Sequence, residues 1–451
     1  MYYTSDITVL CQLFLNSTEN IVIFHSDNQL IKDDNLKFDT KNVTTESIVI
    51  LLSKPNQKFP FKHCIDFTNH SFTNDRTVVY QYFNNPNDTM RWIYPKSLKY
   101  PSFLTLYNAS GMKSKLIRLA FANAFRFGLK SKLSSGSFQL VTNGENAVEI
   151  LVKEAKGENY SIFTGTVGEN RKAIIEINQN RKTTNFIKVP LGEKSAKLVA
   201  QEKNQLKKFN QLNFQKSVIP IVTSSKNPKV AIISNVQPSE SFSTLNDLTA
   251  VHLNVLKEWY DKTNTLKSID ELPEYQQIQN NLQVLENDLK PVNDLKIETV
   301  TALYKGLKTF QSTIDHRDFG TSESQKITVG LAHYDFTPWN MYVTKSRLHI
   351  YDWELSQTDL PLLYDAFHFI FQSSILIKRS SFEEIQQQVN QLKNSDLVKT
   401  LGQDANFDFD TNYRFYILSV ASYYLKLYIK QSPLHVQAHW LVDTWLEAVE
   451  N

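Results

Sequence analysis

The chain has 451 residues, 41% hydrophobic and 12% aromatic, a composition of ordinary globular packing that excludes a disordered chain. Its length allows two or three domains. A net charge of +3 is too small for the basic stripe of a dedicated nucleic-acid binder, so no nucleic-acid partner is expected.

Cys11 and Cys64 have neither metal-ligand spacing nor a disulfide framework. Two buried thiols in a reducing compartment are expected, with a single bridge as the alternative. The opening stretch "MYYTSDITVLCQLFLNSTENIVIF" has no basic segment leading into an apolar run, so no secretory signal is read and a cytoplasmic location is expected. Residues 1–110 read as a separate small α/β domain, with strands in "NIVIFHS", "SIVILLS" and "TVVYQYF". No glycine-rich fingerprint follows any of them, so nucleotide binding there has no support. The aromatic "RWIYP" reads as a packed strand end or a domain contact.

Residues 111–135 form a connecting helix, "KSKLIRLAFANAFRFGLKSKL", apolar on one face and basic on the other. It either packs between domains or lies on a membrane surface. From 136 to 240 the pattern turns to strands with one long helix. "FQLVT" and "VEILVKE" precede "YSIFTGTVGENRKAIIEI", a strand–turn–strand unit. "TTNFIKVP" is a further strand, "KSAKLVAQEKNQLKKFNQL" the helix, and "VIPIVTS" with "KVAIIS" a hairpin. Helices dominate 241–451. The apolar run from Phe415 to Leu425 is too short to span a bilayer, so no integral membrane segment is expected.

The chemistry concentrates in "HYDFTPWN", His333 to Asn340, and in "LHIYDWE" just beyond. An Asp, an Asn five residues later and an Asp at the end of the next strand suit metal-assisted phosphoryl transfer. That reaction asks the protein to position groups and neutralise charge. Asp335 is placed to accept the proton of an attacking hydroxyl. Asn340 and Asp352 offer oxygen ligands of the kind a hard cation such as Mg²⁺ prefers. "MYV" and "LHIY" flank the turn "TKSR", a hairpin that returns Asp352 beside Asn340. Pro338 restricts the loop before Asn340. His333 reads as structural, fixing the loop backbone through a ring hydrogen bond, with catalysis as the alternative.

"HYDFTPWN" followed by "YDWE" resembles the signature of the aminoglycoside phosphotransferase and choline kinase superfamily. These are small-molecule kinases sharing the protein-kinase core. The resemblance implies an α+β, bilobal protein-kinase-like fold with a small β-rich lobe and a large helical lobe, here preceded by the α/β N-terminal domain. It implies Asp335 as catalytic base, Asn340 and Asp352 as metal ligands, and ATP with Mg²⁺ as cofactors. "PLLYDAFHF" is similar to the family's acidic segment, in which Asp365 would brace the catalytic loop.

A kinase-like small lobe needs a strand lysine for the α/β-phosphates and a helix glutamate to hold it. "FIKVP" supplies Lys188. Leu198, Glu202, Leu206 and Phe209 recur at helical spacing, so Glu202 faces inward, where an acid needs a partner. The alternative helix phase turns Gln201 or Lys203 inward. The turn "GTVGENRK" would cover the phosphates with Gly165 and Gly168 through backbone N–H groups, and Arg171 or Lys172 would add charge. Lobe order places adenine near Ser234, Asn235 and Val236.

The acceptor is a small-molecule hydroxyl not specified by these motifs. The arrangement, with its long N-terminal extension, also resembles phosphotransferase-like proteins of bacterial surface-polysaccharide clusters, which implies a sugar or glycan acceptor. Trp339, Trp353, Trp440 and Trp445 either stack on a sugar or form core, and Asp410 and Asp443 read as surface acids. The contrasting reading is a nucleotide-binding or pseudokinase adaptor of kinase fold without turnover.

Overall fold

A computed structural model describes the chain except residues 27–28, 40–41, 55–58, 71, 73–75, 102–103, 105–111, 289–294, 316–324 and 432–433. It is α+β, as the sequence leads one to expect. Two compact units divide it. The first comprises Met1–Lys203 with Ile221–Asn235, and the second Asn204–Pro220 with Val236–Asn451.

An 11-stranded sheet forms the first unit's scaffold. At one end Ile21–Phe24, Ile48–Leu51 and His63–Asp66 run parallel. Their almost continuous burial explains why they read as unbroken apolar runs rather than alternating ones. The remaining pairings are antiparallel. Gly136–Thr142 inserts between His63–Asp66 and Arg76–Asn84. Met90–Pro95 then joins Arg76–Asn84 to Asn159–Phe163. Lys172–Gln179, Lys182–Pro190, Ala231–Ser234 and Val222–Thr223 complete the sheet. Segments expected as separate, 1–110 and 136–240, thus contribute strands to one sheet. "RWIYP" is one of its inner strands.

"VEILVKE", grouped above with the strands, lies in a helix, Ala147–Glu154. Asn146 and Glu149 cap it reciprocally, and Val148, Leu151 and Val152 bury one face at helical spacing. The expected helix over 113–133 is two helices, Met112–Arg126 and Lys130–Leu133. Cys11 and Cys64 are both buried and unbridged, and burial pushes the Cys11 thiol up to about 12.

The second unit is helical with two three-stranded sheets. Its apolar run sits in the helix Phe409–Tyr428, buried among Pro273–Asp288, Ile297–Asp315 and Val436–Glu450. Close approach is required at Gly306, where a Cβ would come within 2.2 Å of Val449. Among the described residues no helix is long and apolar enough to cross a membrane.

Candidate active site

In the second unit the strand Lys326–Ala332 delivers the chain to His333. Tyr334 then adopts φ +73°, a left-handed conformation that a bulky side chain takes only when held. Asp365 holds it. Its carboxylate accepts the His333 N–H at 2.6 Å and the Tyr334 N–H at 2.9 Å. The Tyr334 ring stacks on Tyr364, and its hydroxyl donates to Glu274. Complete burial pushes Asp365 up to about 7, against the lowering effect of the two donors.

His333 is buried, and its Nε2–H donates to the Tyr351 carbonyl at 3.0 Å. Burial lowers its pKa, favouring the neutral ring, and the imidazole meets Trp353 edge-on. This bond ties the loop to the strand end that carries Asp352.

Asp335 follows with its side chain 35% exposed, enough to meet a substrate. The Asn340 amide donates to its carboxylate at 2.8 Å and to its backbone carbonyl at 3.0 Å. His368 Nε2 lies 3.6 Å from its other oxygen. Burial would raise the Asp335 carboxyl, but His368 beside it is the main influence that outweighs burial and holds the group below its ordinary value. It is therefore a carboxylate at neutral pH. Because the Asn340 nitrogen faces Asp335, its carbonyl oxygen is the atom available to a cation.

Pro338–Asn340 forms a single 3₁₀ turn, and Met341–Val343 pairs antiparallel with Leu348–Ile350. The Tyr351 N–H closes onto the Asn340 carbonyl at 3.1 Å, which brings the backbone next to Asp352 alongside Asn340. Asp352 itself is left-handed, φ +66°. Trp353 and Trp445 are core residues, whereas Trp339 and Trp440 are partly exposed and Arg379 lies over the Trp440 ring. Asp410 pairs with Lys393 at the surface, and Asp443 is exposed.

The first unit carries the other residues apart from Val236. Lys188 lies on the strand Lys182–Pro190, flanked by Ile174 and Ala231. Its Nζ is 2.7 Å from both carboxylate oxygens of Glu202. The two side chains are 5% and 0% exposed, so each buried charge depends on the other. On the helix Glu193–Gln211 the buried stripe is Ser195, Val199, Glu202, Leu206 and Phe209. Val199 takes the inward place expected of Leu198, Gln201 is exposed, and Lys203 donates to the Pro228 carbonyl.

The glycine turn links Asn159–Phe163 to Lys172–Gln179. Gly165 has φ +79°, and a Cβ there would fall 2.1 Å from the Lys172 carbonyl, so glycine alone fits. Gly168, φ +151°, has open space around it. Arg171 turns away from a phosphate role. It donates to the Thr164 carbonyl, and its guanidinium lies 3.8 Å from Asp6 on the N-terminal helix Thr4–Leu10. Asp6 also accepts the Met90 N–H at 2.9 Å, and burial pushes its carboxyl up to about 6. Around the segment assigned to adenine, Ser234 N–H and Asn235 N–H donate to the Ile221 and Thr184 carbonyls. The Val236 carbonyl meets His349 Nδ1 at 2.7 Å.

Three residues escaped the sequence reading. His368 had a signal, since it lies three residues after Asp365 on the helix Tyr364–Gln372 and so shares its face. Glu274, buried with Tyr334 and Ser419, and Asp6 had none, because their partners lie far away in the chain.

No family model and no curated relative matches the chain. Several solved structures resemble it. A thermostable mutant of aminoglycoside phosphotransferase APH(4)-Ia is 12% identical, over 67% of this chain and 97% of that one, with TM-score 0.43. A GDP complex of aminoglycoside 2'-phosphotransferase-IIIa is 15% identical over 67% and 97%, with TM-score 0.41. A glucosamine kinase in complex with glucosamine, ADP and inorganic phosphate is 10% identical over 67% and 84%, with TM-score 0.40. At such identities and scores the likeness assigns no activity to this chain.

Asp365→Ala strands two backbone donors and releases Tyr334, so unfolding in urea should show a loss of about 2–5 kcal/mol. Asp6 predicts a pH effect. Its folded carboxyl binds a proton more tightly than the unfolded one, so its contribution to stability is greatest below 3.8 and falls as pH rises through about 6. Thermal melting of wild type against Asp6→Asn across that range should show the wild type losing ground, by on the order of 2 kcal/mol.

Proposed function

We propose that the protein is an ATP-dependent small-molecule kinase that transfers the γ-phosphoryl group to a hydroxyl of a sugar or glycan precursor. The observation that carries this reading is Asp335: a partly exposed carboxylate, held below its ordinary value chiefly by His368 and aimed by the Asn340 amide. Such a group can accept the hydroxyl proton as the oxygen attacks phosphorus. Asp365 and His333 are positioning residues in this scheme, since they fix the loop backbone on either side of Asp335.

An oxygen-only donor set, the Asn340 side-chain carbonyl and the Asp352 carboxylate, fits a hard cation that keeps some of its water. Mg²⁺ bound by these residues would neutralise phosphate charge. Lys188, held by Glu202, would pair the α/β-phosphates, and the Gly165–Gly168 turn would supply backbone N–H groups. Ser234 and Val236 are assigned to the adenine side, and a cytoplasmic location is proposed with the donor. The reading draws on the order of these parts along the chain, on the Lys188–Glu202 pair and on the loop geometry. The sugar assignment draws on the resemblance of the sequence motifs alone.

Melting with and without Mg²⁺–ATP tests the donor site without knowledge of the acceptor. A Mg²⁺-dependent rise in Tm is expected for the wild type and should vanish in Asp352→Ala; no rise at saturating nucleotide would overturn the donor assignment. Lys188→Met should weaken ATP binding in calorimetry or slow turnover. Asp335→Asn should keep the Tm shift while turnover on a panel of sugars falls about 10²–10⁴-fold. Nucleotide binding with no wild-type turnover on any hydroxyl acceptor would favour the adaptor reading.

A further inference from the structure

Between Asp88 and Glu145 the sequence holds nine lysines and arginines and no acidic residue. The whole chain carries only +3, so the rest of it is net acidic and this stretch is the charge outlier. It contains the helix Met112–Arg126 and, after Gly128 at φ +71°, the short helix Lys130–Leu133.

The longer helix is held along one side. Phe121 and Phe125 pack on Trp92, Tyr94 and Leu98, with Ala124 buried between them. That is the ordinary core-facing stripe of a helix. The opposite side is apolar as well. Leu116 and Leu119 lie roughly opposite Phe121 on the helical period and are 63% and 59% exposed. Phe127 is 68% exposed, and Leu129 and Leu133 continue the exposed apolar surface. Among the described residues, six of the seventeen exposed large hydrophobic side chains fall within positions 116–133. This is a patch and not the normal scatter of single apolar residues.

Basic groups accompany the patch. Arg118, Arg126 and Lys132 are exposed, and the Arg126 guanidinium lies over the Phe127 ring at 5.8 Å. Lys130 donates to the Lys96 and Leu98 carbonyls, which fastens the short helix to the sheet. The patch is therefore carried on an anchored element.

We propose that this surface, from Leu116 to Leu133, docks the protein on an anionic lipid bilayer. The leucines and Phe127 would enter the boundary between headgroups and acyl chains, while the arginines and lysines meet the anionic headgroups. A second copy fits this surface poorly, because pairing would bring two basic faces together. The contact is peripheral and independent of the kinase reading: it places no residue in the catalytic loop and requires no turnover.

Flotation of the full chain with vesicles tests it. Vesicles of equal parts phosphatidylcholine and phosphatidylglycerol should carry the protein, and phosphatidylcholine alone should not. Added salt should weaken the binding. Replacing Arg118 and Arg126 by alanine should weaken it roughly thirty-fold. The triple variant L116S/L119S/F127S should abolish it with the Tm unchanged, since all three side chains are exposed. No binding to either vesicle, equal binding to neutral vesicles, or binding that survives the triple substitution would overturn the proposal. Concentration-dependent self-association lost in the triple variant would also overturn it, by giving the surface to a second copy.

Discussion

The candidate catalytic loop depends on one buried carboxylate. Asp365 accepts two consecutive backbone N–H groups and thereby keeps Tyr334 in a conformation that a tyrosine does not choose. The reversal at Tyr334 sets the direction in which Asp335 leaves the strand. Everything after it, the Asn340 amide on Asp335 and the Tyr351 N–H on the Asn340 carbonyl, closes on that direction. A loop of this kind stores strain and releases it only if its brace fails. Full burial makes the brace strong and also raises the cost of its charge, which is why its carboxyl sits near neutrality.

The first unit uses the same device on a smaller scale. Lys188 and Glu202 are each an expensive buried charge alone and an acceptable one together. Asp6 and Arg171 form a looser pair with an orphaned atom on each side, and Arg171 in turn holds the backbone at the base of the glycine turn. The turn's geometry is thus coupled to the first helix of the chain through a contact that spans most of the unit's sequence.

What could be read from sequence follows from how local each determinant is. Asp335, Asn340 and Asp352 are separated by a short hairpin, so their spacing alone places them together. Glu202 was legible because an acid on an apolar helical stripe needs a partner, although the stripe runs through Val199 and not Leu198. "VEILVKE" misled because alternating branched residues suit a strand, while the deciding signal was the Asn146–Glu149 cap that overlaps its start. The position of Gly136–Thr142 was illegible for a different reason. Pairing between distant strands leaves no mark in either strand's own pattern, and neither did the meeting of Asp6 with Arg171.

The shared sheet has a consequence for how such a chain can be inherited. Asn159–Phe163 is flanked on one side by Lys172–Gln179 and on the other by Met90–Pro95, through Trp92 and Ile93. Cutting away the leading segment would leave that apolar strand as a bare edge, a template for pairing with any neighbouring chain. The leading segment cannot be exchanged or shed as a module, as an appended domain on a linker can. Any recombination that kept the glycine turn and the lysine strand would have to carry the first ninety-five residues with them.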